Sequence, residues 1–99
     1  MASPLELEFN DRMVDIYDRA KAEAGYTATR FIQMVGERVG LDTARALIDG
    51  DAVSSGFTAL WEAGRQDLTV EALVLDDRFQ ELFTTRQRRT AERRLRGDG

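Results

Sequence analysis

The chain has 99 residues, 42% of them hydrophobic, and a net charge of −4. This length and composition predict one globular domain spanning residues 1–99. The chain contains no cysteine and no histidine, which excludes disulfides, thiolate metal ligands, a cysteine nucleophile and histidine acid–base catalysis. There is also no apolar run long enough to span a membrane and no apolar signal core. We therefore predict a cytoplasmic protein that needs no cofactor and binds no membrane.

The spacing of apolar residues predicts an all-α fold, a compact orthogonal bundle of five to six short helices. The helical core is expected over about residues 8–95, between short frayed termini. The first helix carries an apolar stripe over 9–24 and ends at Gly25, because glycine suits the left-handed position after a helix. A second helix is predicted over about 27–39, closed by Gly40.

Two short helices are expected in the middle of the chain. Asp42 is predicted to cap the third helix, which Gly50 closes. Ser54 or Ser55 is predicted to cap the fourth helix, which ends near Gly64, because a hydroxyl can accept a hydrogen bond from the first free amides of a helix.

The last third of the chain predicts two more helices. Thr69 is expected to cap a fifth helix over 70–75. Thr84 and Gln87 have the spacing of a capping box, in which side chain and backbone cap each other reciprocally. This pair predicts the start of a final helix that continues to about Arg96.

The apolar positions of these helices predict one shared hydrophobic core. It would contain Phe9, Phe31, Val35, Leu47, Leu60, Trp61, Leu73 and Phe83. Trp61 is expected to fill its centre, because large aromatic side chains dominate small cores. The alternative is that Trp61 anchors a partner, since tryptophan is enriched at interfaces.

Three runs of the sequence resemble a small bacterial all-helical module: GYTATRF (25–31), GFTALWEAGRQDLTVEALVL (56–75) and FQELFT (79–84). The resemblance covers about residues 10–95, and 56–75 is its most specific part. Such modules occur alone or appended to larger proteins, some of them nuclease or restriction-type. The resemblance implies an accessory role in bacterial defence or nucleic-acid systems, and it implies no catalytic residues.

Charge is distributed unevenly along the chain. Residues 1–83 hold 8 basic and 16 acidic side chains, whereas residues 84–99 hold six arginines and two acidic residues. On the last helix, four arginines fall along one face, which we name the arginine stripe: Arg86, Arg89, Arg93 and Arg96. It is a candidate contact for phosphates or for an acidic protein surface. The alternatives are a solvated face and internal pairing with carboxylates such as Glu71 or Glu81.

Other chemistry has weaker support in the sequence. A helix-turn-helix over 42–64 would offer an apolar recognition helix, which does not suit base reading. Asp76 and Asp77 could help to hold magnesium, but they also suit a helix end. Ser54 and Ser55 lack a histidine base and are explained more simply as caps. We therefore predict no enzyme activity, no catalytic residue and no metal site.

The sequence thus predicts a non-catalytic interaction or accessory module that binds another protein or a fused domain. The candidate contacts are the arginine stripe and Trp61. The alternative is sequence-independent binding of nucleic-acid phosphates through the same arginines. The sequence leaves the oligomeric state open.

Overall fold

The structure, a computed structural model, describes residues 3–97 and contains no strand in that range. The α-helices are α1 (Pro4–Ala24), α2 (Thr29–Arg38), α3 (Gly40–Asp49), α4 (Ser55–Glu62), α5 (Val70–Val74) and α6 (Thr85–Leu95), and 3₁₀ helices cover Gln66–Leu68 and Asp77–Leu82. The all-α prediction is confirmed, and the described residues form a compact bundle with a radius of gyration of 12.4 Å.

Two details of the prediction need correction at the amino-terminal side. Helix α1 has 21 residues and is therefore not short. It also begins at Pro4, before the expected start of the helical core, because Ser3 caps its first turn and proline is well tolerated there. The predicted frayed termini include residues 1–2 and 98–99, which lie outside the described part of the chain.

Most helix ends follow the predicted caps. Gly25 adopts the left-handed conformation, with φ 66°, at the end of α1. The side-chain oxygens of Ser54, Thr69 and Thr84 each accept a hydrogen bond from the backbone amide three residues later. The side chain of Gln87 completes the predicted capping box at the start of α6. Local sequence therefore sets the starts of α4, α5 and α6.

The junction between α2 and α3 differs from the prediction. Gly40 is the first residue of α3 and does not end α2, and Asp42 lies in the first turn of α3 and does not cap it. The Gly40 amide donates a hydrogen bond to Oδ1 of Asn10 at 2.7 Å. A Cβ atom at position 40 would lie 2.9 Å from Cα of Asn10. Glycine is needed here because α1 and α3 approach each other closely.

Val39 joins α2 to α3 in a strained backbone conformation. Its φ is 73° and its ψ is 158°, a region that is populated almost only by glycine. The side chain is 56% exposed, so little burial offsets this strain. Val39 lies between the end of α2 and Gly40, whose amide is held by Asn10. These two neighbours fix the path of the chain at Val39.

We expect Val39→Gly to raise the free energy of unfolding by about 1 kcal/mol, because relief of strain outweighs the extra flexibility of the unfolded chain. Urea denaturation measures the change. Val39→Ala is the matched control, since it removes the same exposed methyl groups but keeps a Cβ atom. A glycine variant that is no more stable than the alanine variant would contradict the strain argument.

The main hydrophobic cluster contains residues of α1, α2, α3, α5, α6 and the second 3₁₀ helix. At its centre the ring of Phe9 packs edge-on against Phe79 and Phe83, with centroid distances of 5.1 and 5.3 Å. Val35 and Leu73 also belong to this cluster, as predicted. These contacts connect the amino-terminal helix to the second half of the chain.

The prediction of one shared core is wrong in part. Leu60 belongs to a second cluster with Ala20 and Leu68. Phe31 and Leu47 are half-buried and pack against the edge of the main cluster. Residues of both clusters line one cavity between them.

Candidate functional site

Helix α6 divides its arginines between two faces. Its buried residues are Gln87, Ala91 and Arg94, which follow the i, i+4, i+7 spacing of one helix face. The four members of the arginine stripe are all exposed. The stripe therefore points to solvent, which is one of the alternatives that the sequence left open, whereas the arginine on the buried face was not predicted.

Arg94 attaches α6 to two other helices. Its guanidinium donates to Oε2 of Glu71 at 3.1 Å, to the Leu47 carbonyl at 3.1 Å and to the Gly50 carbonyl at 2.7 Å. The last carbonyl groups of a helix lack hydrogen-bond donors within the helix. At the end of α3, Arg94 donates to two such carbonyl groups. One side chain therefore holds α3, α5 and α6 together.

The ion pair between Arg94 and Glu71 is buried, with side-chain exposures of 7% and 4%. Burial raises the pKa of Glu71, because desolvation of the carboxylate outweighs the hydrogen bonds from its own backbone and from Arg94. Internal pairing of a C-terminal arginine with Glu71 thus occurs, but it involves Arg94 and no member of the arginine stripe.

Gln87 fixes the position of an aspartate beside α6. Its Oε1 accepts a hydrogen bond from the Thr84 amide at 2.9 Å, which completes the capping box. Its Nε2 lies 3.3 Å from both carboxylate oxygens of Asp49 and donates to them. The end of α3 is therefore held against α6 through Asp49 as well as through Arg94.

These contacts create an open groove of about 770 Å³ between α6 and the segment 48–53. We call it the mixed-charge groove. Arg86, Arg89 and Arg93 line its α6 side, and Asp49 and Asp51 line the opposite side. The fourth member of the stripe does not line it and instead donates to Glu92 at 3.2 Å.

The three groove arginines are available to a ligand. Within residues 3–97, none of them forms an ion pair. The one side-chain hydrogen bond seen among them there is from Arg93 to Oγ1 of Thr90, at 3.4 Å. An exposed guanidinium presents a planar set of donors suited to carboxylate or phosphate oxygens. The groove can therefore bind an anionic group on its α6 side.

Trp61 lies apart from this groove. It is half-buried on α4, its ring centroid lies 5.6 Å from that of Phe57, and a Cβ atom at Gly97 would lie 3.6 Å from its ring. Within the described chain it belongs to neither hydrophobic cluster. The prediction of a central core residue is therefore wrong, because α4 directs Phe57 and Leu60 inward instead.

The residues considered for other chemistry have structural contacts. Ser54 caps α4 as predicted. Asp76 accepts a hydrogen bond from the Arg78 amide and lies 3.8 Å from the Arg12 guanidinium. Within residues 3–97, no three carboxylates group together as a metal site would require. No helix in that range is both long enough and apolar enough to cross a bilayer.

Four site residues were missed at the level of sequence: Asp49, Asp51, Gln87 and Arg94. For Arg94 a signal was present. Ala91 and Leu95 are the apolar residues of the last helix, and Ala91 has Gln87 and Arg94 one turn away on the same face. Burying Ala91 therefore brings both polar side chains into the protein. No local pattern identified the aspartates, because their proximity to α6 depends on the tertiary fold.

The chain matches no protein-family model, no curated protein and no solved structure. The similarity to a bacterial helical module therefore stays a prediction.

Proposed function

We propose that this protein is a non-catalytic interaction module whose mixed-charge groove binds an acidic segment of another protein or of a fused domain. The observation that carries the proposal is the row formed by Arg86, Arg89 and Arg93, which have no carboxylate partner within residues 3–97. These side chains lie on α6, whose buried face is attached to α3 and α5 through Arg94. A row of exposed, positioned guanidinium groups favours recognition of carboxylates.

The other side of the groove favours a protein partner over nucleic acid. Asp49 and Asp51 line the same groove as the arginines. A nucleic-acid backbone carries closely spaced negative charges, and charges within about 8 Å are poorly screened at physiological salt. A peptide can instead place acidic side chains toward α6 and a basic side chain toward the aspartates. Phosphate binding through the arginines is therefore the second candidate.

The wider assignments stay predictions. A role in a bacterial defence or nucleic-acid system depends on the sequence resemblance, and the cytoplasmic location depends on composition. Both are compatible with an accessory protein that recruits a larger partner through one groove.

We expect peptides selected by this protein from a random display library to be rich in Asp and Glu and to contain a Lys or Arg. Their binding, measured by fluorescence anisotropy, should be at least about tenfold tighter than binding to a short DNA duplex at physiological salt. The triple variant Arg86→Ala, Arg89→Ala, Arg93→Ala should lose at least about tenfold in peptide affinity. Its stability should stay within about 1 kcal/mol, because the three side chains are exposed.

The matched control removes three positive charges outside the groove: Lys21→Ala, Arg38→Ala and Arg96→Ala. It should keep most of the peptide affinity, which separates a specific groove from a general effect of net charge. Tighter binding of the duplex than of any selected peptide would replace the proposal with the phosphate-binding alternative. Equal losses in the two triple variants would show that the groove is not the site.

A further inference from the structure

A second concave site lies next to the mixed-charge groove and shares no lining residue with it. It is the cavity between the two hydrophobic clusters, with a volume of about 340 Å³. Its lining is mainly apolar and includes Ile16, Phe31, Leu60 and Leu68. The cavity is partly open to solvent, and pockets for small molecules begin at roughly 300 Å³. Its volume is therefore sufficient for a small molecule.

The charges around the cavity do not cancel. Two charged residues line it, Arg30 and Glu71. Glu71 is neutralised by its buried ion pair with Arg94. Arg30 is exposed and makes no ion pair within residues 3–97. The cavity therefore combines an apolar interior with one uncompensated positive charge, which is complementary to an apolar molecule with a single negative group.

The amino-terminal end of α2 adds to this positive charge. Arg30 lies in the first turn of α2, which contains no acidic residue, and Ala28 at the cap position supplies no side-chain hydrogen bond. Free backbone amides and the helix dipole favour an anion at such an end. The hydroxyl-bearing Tyr26 and Ser55 also line the cavity. An anionic head group would thus meet Arg30 and the start of α2 while the apolar part enters between the clusters.

We propose that this cavity binds a small monocarboxylate with an apolar body, such as a medium-chain fatty acid. The apolar lining provides burial for the chain, and Arg30 selects the carboxylate. This site is separate from the mixed-charge groove and does not depend on the function proposed for it.

The test uses the full chain and three probes with the same ten-carbon chain: decanoate, 1-decanol and decylammonium. Binding is measured by calorimetry and by amide chemical shifts below the concentrations at which the probes aggregate. Decanoate should bind at least about tenfold more tightly than either of the others, and the shifts should cluster at residues that line the cavity. Arg30→Gln should remove most of this preference, because it keeps a polar side chain without the charge.

Two further variants complete the design. Ala28→Leu adds apolar volume at the cavity wall and should weaken all three probes together. The triple groove variant should bind decanoate as the parent does, so that failure of one site is distinguished from failure of the other. Absence of decanoate binding at millimolar concentration, equal affinity for the three probes, or an unchanged preference in Arg30→Gln would overturn the proposal.

Discussion

Replacing Arg94 with alanine should lower the free energy of unfolding by about 3–5 kcal/mol. The substitution leaves the buried Glu71 carboxylate without its cation, and removal of one member of a buried ion pair costs about this much. It also removes the donors to the Leu47 and Gly50 carbonyls at the end of α3. Since small domains are stable by about 5–15 kcal/mol, a large part of the stability should be lost. Urea denaturation with a circular dichroism readout measures the effect.

The adjacent residue provides the control. Arg93 is exposed and forms no ion pair within residues 3–97, so Arg93→Ala should change stability by less than about 1 kcal/mol. Similar losses in the two variants would contradict the buried position of Arg94.

The effect of Arg94→Ala should also depend on pH. The pKa of Glu71 is raised by burial above its ordinary value of 4.5, and loss of the cation raises it further. In the folded variant Glu71 therefore takes up a proton at a higher pH than it does in the unfolded chain. The destabilisation is largest above the folded-state pKa of Glu71 and decreases as the pH falls toward 4.5. The loss of stability should be larger at about pH 8 than at about pH 5. A loss that grows toward acid would contradict the role of Glu71.

Phe9→Ala should also destabilise the protein by about 3–5 kcal/mol, because it leaves a large cavity in the main cluster. Phe9 is fully buried and makes both edge-on contacts with the other rings of that cluster. Trp61→Ala removes a larger side chain from a half-buried position and should cost only about 1–2 kcal/mol. The comparison is made by urea denaturation of both variants under the same conditions.

The order of these two values distinguishes the observed fold from the one expected from sequence. A central tryptophan would make Trp61→Ala the more damaging change. If Phe9→Ala destabilised the protein less than Trp61→Ala does, the position of Phe9 at the centre of the main cluster would be wrong.

Sequence alone predicts the features that depend on a few neighbouring residues. The caps at Ser54, Thr69 and Thr84, and the glycine at the end of α1, are local hydrogen-bonding or conformational choices, and all four appear in the structure. The grouping of four arginines along one face of α6 is also local, because helical periodicity decides it.

The errors occur where distant parts of the chain meet. Gly40 has the pattern of a helix end, but its contact with Asn10 makes it the start of α3. Trp61 has the large aromatic side chain expected of a core residue, but Phe57 and Leu60 are the buried residues of α4. Asp49 and Asp51 carried no signal of a site, since only the folding of α3 against α6 brings them to the groove. Periodicity assigns faces to helices but does not determine which faces meet.

The hydrogen bond from Gly40 to Asn10 also limits how the gene could be divided or shortened. The start of α3 is completed by a side chain 30 residues earlier in the chain. A fragment that begins at α3 would therefore leave this amide without its partner, and a truncation that removes the first half of α1 would do the same. The strained residue before Gly40 makes the connection between α2 and α3 equally unsuited to an inserted tag or a circular permutation. Fusion partners should therefore not be inserted at this junction.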